Sequence, residues 1–223
     1  MSKSCILLGS RSEIAKRLLP YMVADGWTVH GWARGQVLPP ASWDLCLIPI
    51  GTVAPVGIWH EVNQLEWLRG VDSNCAWPVD LLRKIWKQRK PDSAVCFFAG
   101  ANPNKPMENY SAYSVGKMAL LKACEHLDLE SPDCKMFALA PGVHLTKIHQ
   151  ATRDAGVKNE RLDRADRGEV ESIERVWKCL QWCLAQPKTV IGGRNICVSD
   201  PFGPELAARL ATHPSMFKLR RME

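Results

Sequence analysis

No stretch of this 223-residue chain holds the roughly 20 consecutive apolar residues that a membrane-spanning helix needs, so no membrane is expected as a partner. Its first residues, Met1-Ser2-Lys3-Ser4, run straight into a strand-like stretch. They show neither an extended apolar h-region nor a small-residue cleavage site, and no signal peptide is expected. Internal repeats and low-complexity linkers are missing too. The nine cysteines include no CxxC pair, and an odd count without paired spacing fits a reducing cytoplasm. Cys5, Cys46, Cys96 and Cys197 fall in strand-like runs, where a thiol serves as a small hydrophobe. Cys179 and Cys183 share a helix face but have no neighbouring ligands. The histidines (His30, His60, His126, His144, His149 and His213) lack metal spacing, so no metal is expected; His144 alone is placed to face a substrate. The net charge is +6, but lysines and arginines are interleaved with acids. The longest basic cluster, Lys218-Leu219-Arg220-Arg221, is too short for a nucleic-acid footprint.

The length suits one α/β domain spanning residues 1–223. Short apolar runs alternate with helical patterns, which argues for a mostly parallel sheet covered on both faces. Strands are expected around 4–9, 27–33, 44–49, 93–99, 134–140 and 194–198, and helices over 12–25, 62–89, 111–130 and 171–186. Ser12 is placed to cap the first helix and Gly26 to end it, while Pro20 should kink it. Between Arg34 and Asp44 lies a Pro39-Pro40 connection too short for a helical crossover. Residues 143–170 are polar, mixed in charge and weakly periodic, and read as a substrate-side flap. Residues 201–223 read as a C-terminal tail. The tryptophans at 59, 67, 77, 86, 177 and 182 recur in helical segments, where packing is the expected role.

Two segments are suited to chemistry. Cys5-Ile6-Leu7-Leu8 leads into Gly9-Ser10-Arg11-Ser12-Glu13-Ile14-Ala15 and then a helix. A strand, a tight turn and a helix N-terminus offer unpaired N–H groups and a helix dipole to a phosphate. In Tyr113-Ser114-Val115-Gly116-Lys117, positions four apart share a helix face. A phenol near pKa 10 beside an ammonium is expected to shift downward and to exchange protons with a carbonyl or alcohol.

The order of these pieces resembles the short-chain dehydrogenase/reductase family. There a glycine-rich turn follows the first strand, an asparagine precedes the tyrosine by about forty residues, YxxxK lies on a central helix, and a Pro-Gly follows the next strand. Trp67-Leu68-Arg69-Gly70-Val71-Asp72-Ser73-Asn74 is similar to the asparagine segment. Ala140-Pro141-Gly142-Val143-His144-Leu145-Thr146 is similar to the Pro-Gly element, and Ile191-Gly192-Gly193-Arg194-Asn195-Ile196-Cys197-Val198 to the final loop and strand. The resemblance covers roughly residues 4–200. It implies a Rossmann-like three-layer α/β sandwich, here shortened at the second-strand edge. It implies Tyr113 for proton transfer, Lys117 for the nicotinamide ribose and for depressing the tyrosine pKa, and Asn74 for a water linked to Lys117. Gly9, Ser10, Arg11 and Ile14 would line the pyrophosphate turn, Gly51 the loop after the third strand, and Pro141, Gly142, Val143 and Thr146 the nicotinamide end.

Departures from the family pattern are visible. Glu13 and Ala15 stand where the turn's second and third glycines are usual. Ile48-Pro49-Ile50-Gly51 replaces Asn-Asn-Ala-Gly. The usual substrate-orienting serine falls within Phe98-Ala99-Gly100-Ala101, leaving Asn102 as a substitute donor. The second strand ends Gly31-Trp32-Ala33-Arg34 without an acid, so Arg34 and Arg11 favour NADP(H), with NAD(H) as the alternative. The resemblance thus implies a cytoplasmic NADP(H)-dependent oxidoreductase acting on a small carbonyl or alcohol, as a homodimer or larger homo-oligomer. The slight basic excess of 143–170 points to an anionic substrate, and the closing stretch 199–221 is similar to tails of bacterial surface-polysaccharide proteins of the family, which points to a sugar-related one. Two alternatives stay open: a catalytically degenerate cofactor- or partner-binding protein, and a nucleotide-sugar epimerase or dehydratase.

Overall fold

Every second side chain of the strands points to the same face of a sheet, and in the buried stretches of the central strands both sets are apolar, as a sheet covered on two sides requires. The structure, a computed structural model, describes residues 3–100 and 105–219. Its sheet comprises β1 (Lys3–Leu8), β2 (Trp27–Trp32), β3 (Trp43–Ile48), β4 (Arg89–Phe98), β5 (Cys134–Ala140) and β6 (Asn195–Cys197). The order is β2-β1-β3-β4-β5-β6, and each neighbouring pair is parallel. Cys5, Leu7, Leu45, Leu47, Cys96 and Leu139 face one layer, formed by α1 (Glu13–Ala24), α7 (Ile173–Ala185), α8 (Lys188–Ile191) and α9 (Pro204–Thr212). Ile6, Leu8, Cys46, Val95 and Phe97 face the other, formed by α2 (Gln64–Asn74), α3 (Ala76–Ile85) and α4 (Ser111–Glu130). Between β5 and α7 lie a 3-10 turn (Lys147–His149), α5 (Gln150–Asp154) and α6 (Glu160–Asp166).

β2 sits at the sheet edge and is only partly buried, apart from Trp32. The chain then crosses β1 to reach β3 without a helix over residues 33–42. The turn is pinned locally: Trp32 Nε1 donates to Gln36 O at 2.8 Å and Ala33 N to Gln36 Oε1 at 2.8 Å. Tryptophans supply apolar volume on this side. Trp43 is fully buried against Trp86, and Trp32 packs on Trp77.

Two expected elements differ. The single helix over 62–89 is broken at Cys75 (φ −134°, ψ −74°) into α2 and α3. Pro78, three residues into the second segment, has no N–H for the Asn74 carbonyl and its ring crowds that carbonyl. A 3-10 turn over Trp86–Gln88 then leads into β4, which starts at Arg89 because Arg89 already aligns with Trp43. Pro20 does not interrupt α1; it lies exposed inside an unbroken helix capped by Ser12 Oγ on Ala15 N. All nine cysteines are free, and no described residues cluster to hold a metal. No described helix is long and apolar enough to cross a membrane.

Candidate active site

A cleft of about 810 Å³ opens where β1, β3, β4 and β5 end, the side on which open parallel sheets bind ligands. The turn after β1, the loops after β3, β4 and β5, the start of α4 and the 147–164 helices all line it. Its volume is that of a ligand site rather than a packing defect.

α4 supplies the central wall. Lys117 is buried, and its Nζ donates to Ile50 O at 3.0 Å and Phe98 O at 2.7 Å. An ammonium has three donors, so one remains for the cleft. Burial pushes its pKa down to about 8. Two glycines make room for this arrangement. A Cβ on Gly51 would stand 2.9 Å from Lys117 Nζ and 2.7 Å from Asn74 Oδ1, and one on Gly116 would stand 2.6 Å from Asn74 Cβ. Tyr113 faces the same cleft, one turn before Lys117. Here the expected electrostatics are corrected: burial holds the phenol above its ordinary value, and the cation that opposes this is Arg161, not Lys117. The Lys117 ammonium donates to the two carbonyls, and its charge opposes the rise of the Cys75 thiol.

Asn74 is buried behind Gly51. Its Nδ2 donates to Thr52 O at 2.7 Å and Gly70 O at 2.8 Å, while Oδ1 accepts from Thr52 N at 3.2 Å. Both side-chain donors are spent, so the residue acts as a clamp on the β3 loop, and for a water it can offer only acceptor capacity.

The turn after β1 is also used differently from the expectation. Gly9, at φ +95°, permits the sharp turn, but Gly9 N and Ser10 N both donate to Trp32 O at 2.9 Å. Neither residue lines the cleft; Arg11, Ser12, Glu13 and Ile14 do. Among the described residues, the backbone N–H groups of Arg11, Glu13 and Ile14 have no acceptor. Three open donors at a helix start suit a phosphate. The Glu13 carboxylate reaches across instead of into this cradle, accepting from Lys147 N at 2.6 Å, and Arg17 Nη2 donates to Leu145 O at 3.3 Å. Arg34 lies outside the cleft, stacked on Trp77 at 4.7 Å.

After β5, Pro141, Gly142 (φ +78°), Val143 and Thr146 line the cleft together with His144. His144 is buried with Nε2 on Pro141 O at 2.9 Å, and burial lowers its pKa. A brace that the sequence reading missed joins this region to α4. Tyr110 Oη donates to Thr152 Oγ1 at 3.1 Å and accepts from Asn159 Nδ2 at 2.9 Å, and Asn159 Oδ1 caps α6 at Leu162 N. Only the three-residue spacing of Tyr110 from Tyr113 hinted at it. At Gly100 no hydroxyl is present, and Asn102 lies outside the described residues.

No protein-family model matches the sequence, and none of the curated proteins does. Solved structures match throughout. A short chain dehydrogenase family protein from Francisella tularensis shares 12% identity over 88% of this chain and 97% of its own, with a TM-score of 0.71. A small-chain dehydrogenase in complex with NADPH shares 16% over 88% and 96%, with a TM-score of 0.73. A 4-hydroxyisoleucine dehydrogenase complexed with NADH shares 13% over 87% and 96%, with a TM-score of 0.67. This chain has the short-chain dehydrogenase/reductase fold. Within that fold, Tyr113 and Lys117 share one wall with Asn74 buried behind it at Gly51, Pro141 to Thr146 line a second, and Arg11 to Ile14 close the end.

Proposed function

We propose that the protein is a nicotinamide-dependent oxidoreductase acting on a carbonyl/alcohol pair, with NADP(H) preferred to NAD(H). One observation carries the reading: a single cleft joins three open backbone donors at the start of α1 to the free donor of Lys117 and the hydroxyl of Tyr113. Similar solved structures containing NADPH or NADH support it. When bound, the cofactor supplies or accepts the hydride. Arg11, Glu13 and Ile14 would hold phosphates through their N–H groups, Lys117 a ribose hydroxyl, and Gly51, Pro141, Gly142, Val143 and Thr146 the surfaces beside the nicotinamide. Tyr113 Oη gives a proton to the substrate oxygen in reduction and takes it back in oxidation. Gly9 and Ser10 serve by holding the turn to β2. Arg34, released from Trp77, would favour a 2′-phosphate. Residues 143–170 form a flap over the substrate end, and the protein works as a cytoplasmic homodimer.

A second reading, a binding protein without turnover, draws support from Gly100, which offers the substrate oxygen no hydroxyl, and from the Gly9 and Ser10 donors spent on Trp32.

The deciding experiment is a panel of aldehydes, ketones and sugar carbonyls with NADPH and NADH. NADPH should bind more tightly. Tyr113→Phe should lower turnover about 10²–10⁴-fold, the usual contribution of a general acid, with cofactor affinity nearly unchanged. Equal rates in wild type and Tyr113→Phe would reject the mechanism, and tight NADPH binding with no reacting substrate would favour the binding protein.

A further inference from the structure

The basic residues of the 147–167 region do not share one role. Arg153 pairs with Asp166 at 2.7 Å, and Arg164 and Arg167 both pair with Glu169, at 2.7 and 3.2 Å. Their charges are answered within the segment. Arg161 differs: it lines the cleft, and no described carboxylate pairs with it. The remaining cleft glutamate beside this segment, Glu171, lies against Gly142 and forms no ion pair with it. Of the other cleft lysines and arginines without a described ion-pair partner, Lys117 is held by two carbonyls, and Lys147 and Arg11 stand by the α1 turn, at the end suited to cofactor phosphates.

The backbone that carries Arg161 is fixed in place. Asn159, two residues earlier, caps α6 and donates to Tyr110, whose hydroxyl also reaches Thr152. Tyr110 is the residue before α4, three positions from Tyr113. The guanidinium is therefore mounted on a support cross-linked to the helix that bears Tyr113, and its field favours loss of the Tyr113 proton. An exposed arginine kept without a counterion in a ligand-sized cleft has its donors free for planar anion recognition.

We infer that Arg161 is a specificity-determining residue: it anchors an anionic group, carboxylate or phosphate, carried by the substrate beside the carbonyl that faces Tyr113. This deepens the oxidoreductase reading and rests on it for the carbonyl, whereas the anion anchor can be measured by binding alone.

The test titrates two matched pairs into the protein, with and without NADPH, by calorimetry: succinic semialdehyde against butanal, and glyceraldehyde 3-phosphate against glyceraldehyde. In at least one pair the charged member should bind about tenfold tighter than its neutral match, as a charge-assisted bond implies; which pair does so distinguishes carboxylate from phosphate. Arg161→Met should bring that ratio to within about twofold, Arg161→Lys should keep part of it, and Lys158→Met, which removes a charge outside the cleft, should leave it intact. Equal binding in both pairs, or a ratio that survives Arg161→Met, overturns the inference. Failure of NADPH to bind would sink the oxidoreductase reading while leaving the anion measurement valid.

Discussion

At Gly100 a Cβ would stand 3.2 Å from the Tyr113 hydroxyl oxygen, so a serine there would have its own hydroxyl within reach of the atom that Tyr113 protonates. The glycine backbone is not in the left-handed region, and the contact asks the phenol to yield by only a few tenths of an ångström. Gly100→Ser should therefore be tolerated and should add a donor to the developing negative oxygen. Removing one such donor from an acyl-transfer site costs about 10²–10³-fold, so a partial gain is expected. On any substrate that wild type reduces, Gly100→Ser should turn over at least about tenfold faster than Gly100→Ala, which adds the Cβ without the hydroxyl. Equal rates in the two variants would mean that the substrate oxygen does not lie between Tyr113 and residue 100.

The helices show which features can be read along the chain and which depend on distant partners. α1 tolerates Pro20 in its interior at the loss of one hydrogen bond to the Lys16 carbonyl. Because Pro20 is exposed and the helix is unbroken, Pro20→Ala should restore that bond with no repacking. An interior proline costs about 3 kcal/mol, offset in part by up to about 1 kcal/mol from restricting the unfolded chain. Urea unfolding should thus show a gain of about 1–2 kcal/mol; an unchanged or lower midpoint would show that the proline ring is packed where it lies. The sheet was legible because its strands are apolar on both faces, and α4 because Tyr113 and Lys117 sit four apart on a strongly helical segment. The start of β4 was hidden, since Arg89-Lys90-Pro91-Asp92 is polar and becomes strand only by aligning with Trp43. The α2–α3 break was readable in principle from Pro78. The commitments of the Asn74 amide, the reach of Glu13 to Lys147, and the placement of Arg161 are tertiary facts. Each joins residues that no local period relates, 22, 134 and 48 positions apart for Asn74–Thr52, Glu13–Lys147 and Arg161–Tyr113.

At the scale of the molecule, the two faces of the sheet are not finished alike. One layer, built from α1, α7, α8 and α9, leaves large apolar side chains exposed only on α1, at Leu19 and Val23. On the other, α2 and α4 pack against each other and leave Leu65 (62% exposed), Leu68 (49%) and Val115 (46%) open. Leu65 and Leu68 are one turn apart on α2 and so share its outward side. A second copy of this chain, docked across a two-fold axis with the same α2 and α4 residues, would cover the patch with its own image. Such a contact must bury on the order of 1,000 Å² to persist in solution, and two adjacent helices presented by each copy can supply it. Because α4 bears Tyr113 and Lys117, the same contact would stiffen the wall of the cleft. Sedimentation velocity should find the wild type at twice the mass of one chain. Leu68→Glu combined with Val115→Glu would set charges against each other across the axis without touching either core cluster. That variant should sediment as a monomer with its circular dichroism unchanged and its NADPH affinity reduced. A wild type that sediments as a monomer, or a double variant that remains dimeric, would rule out this face as the interface.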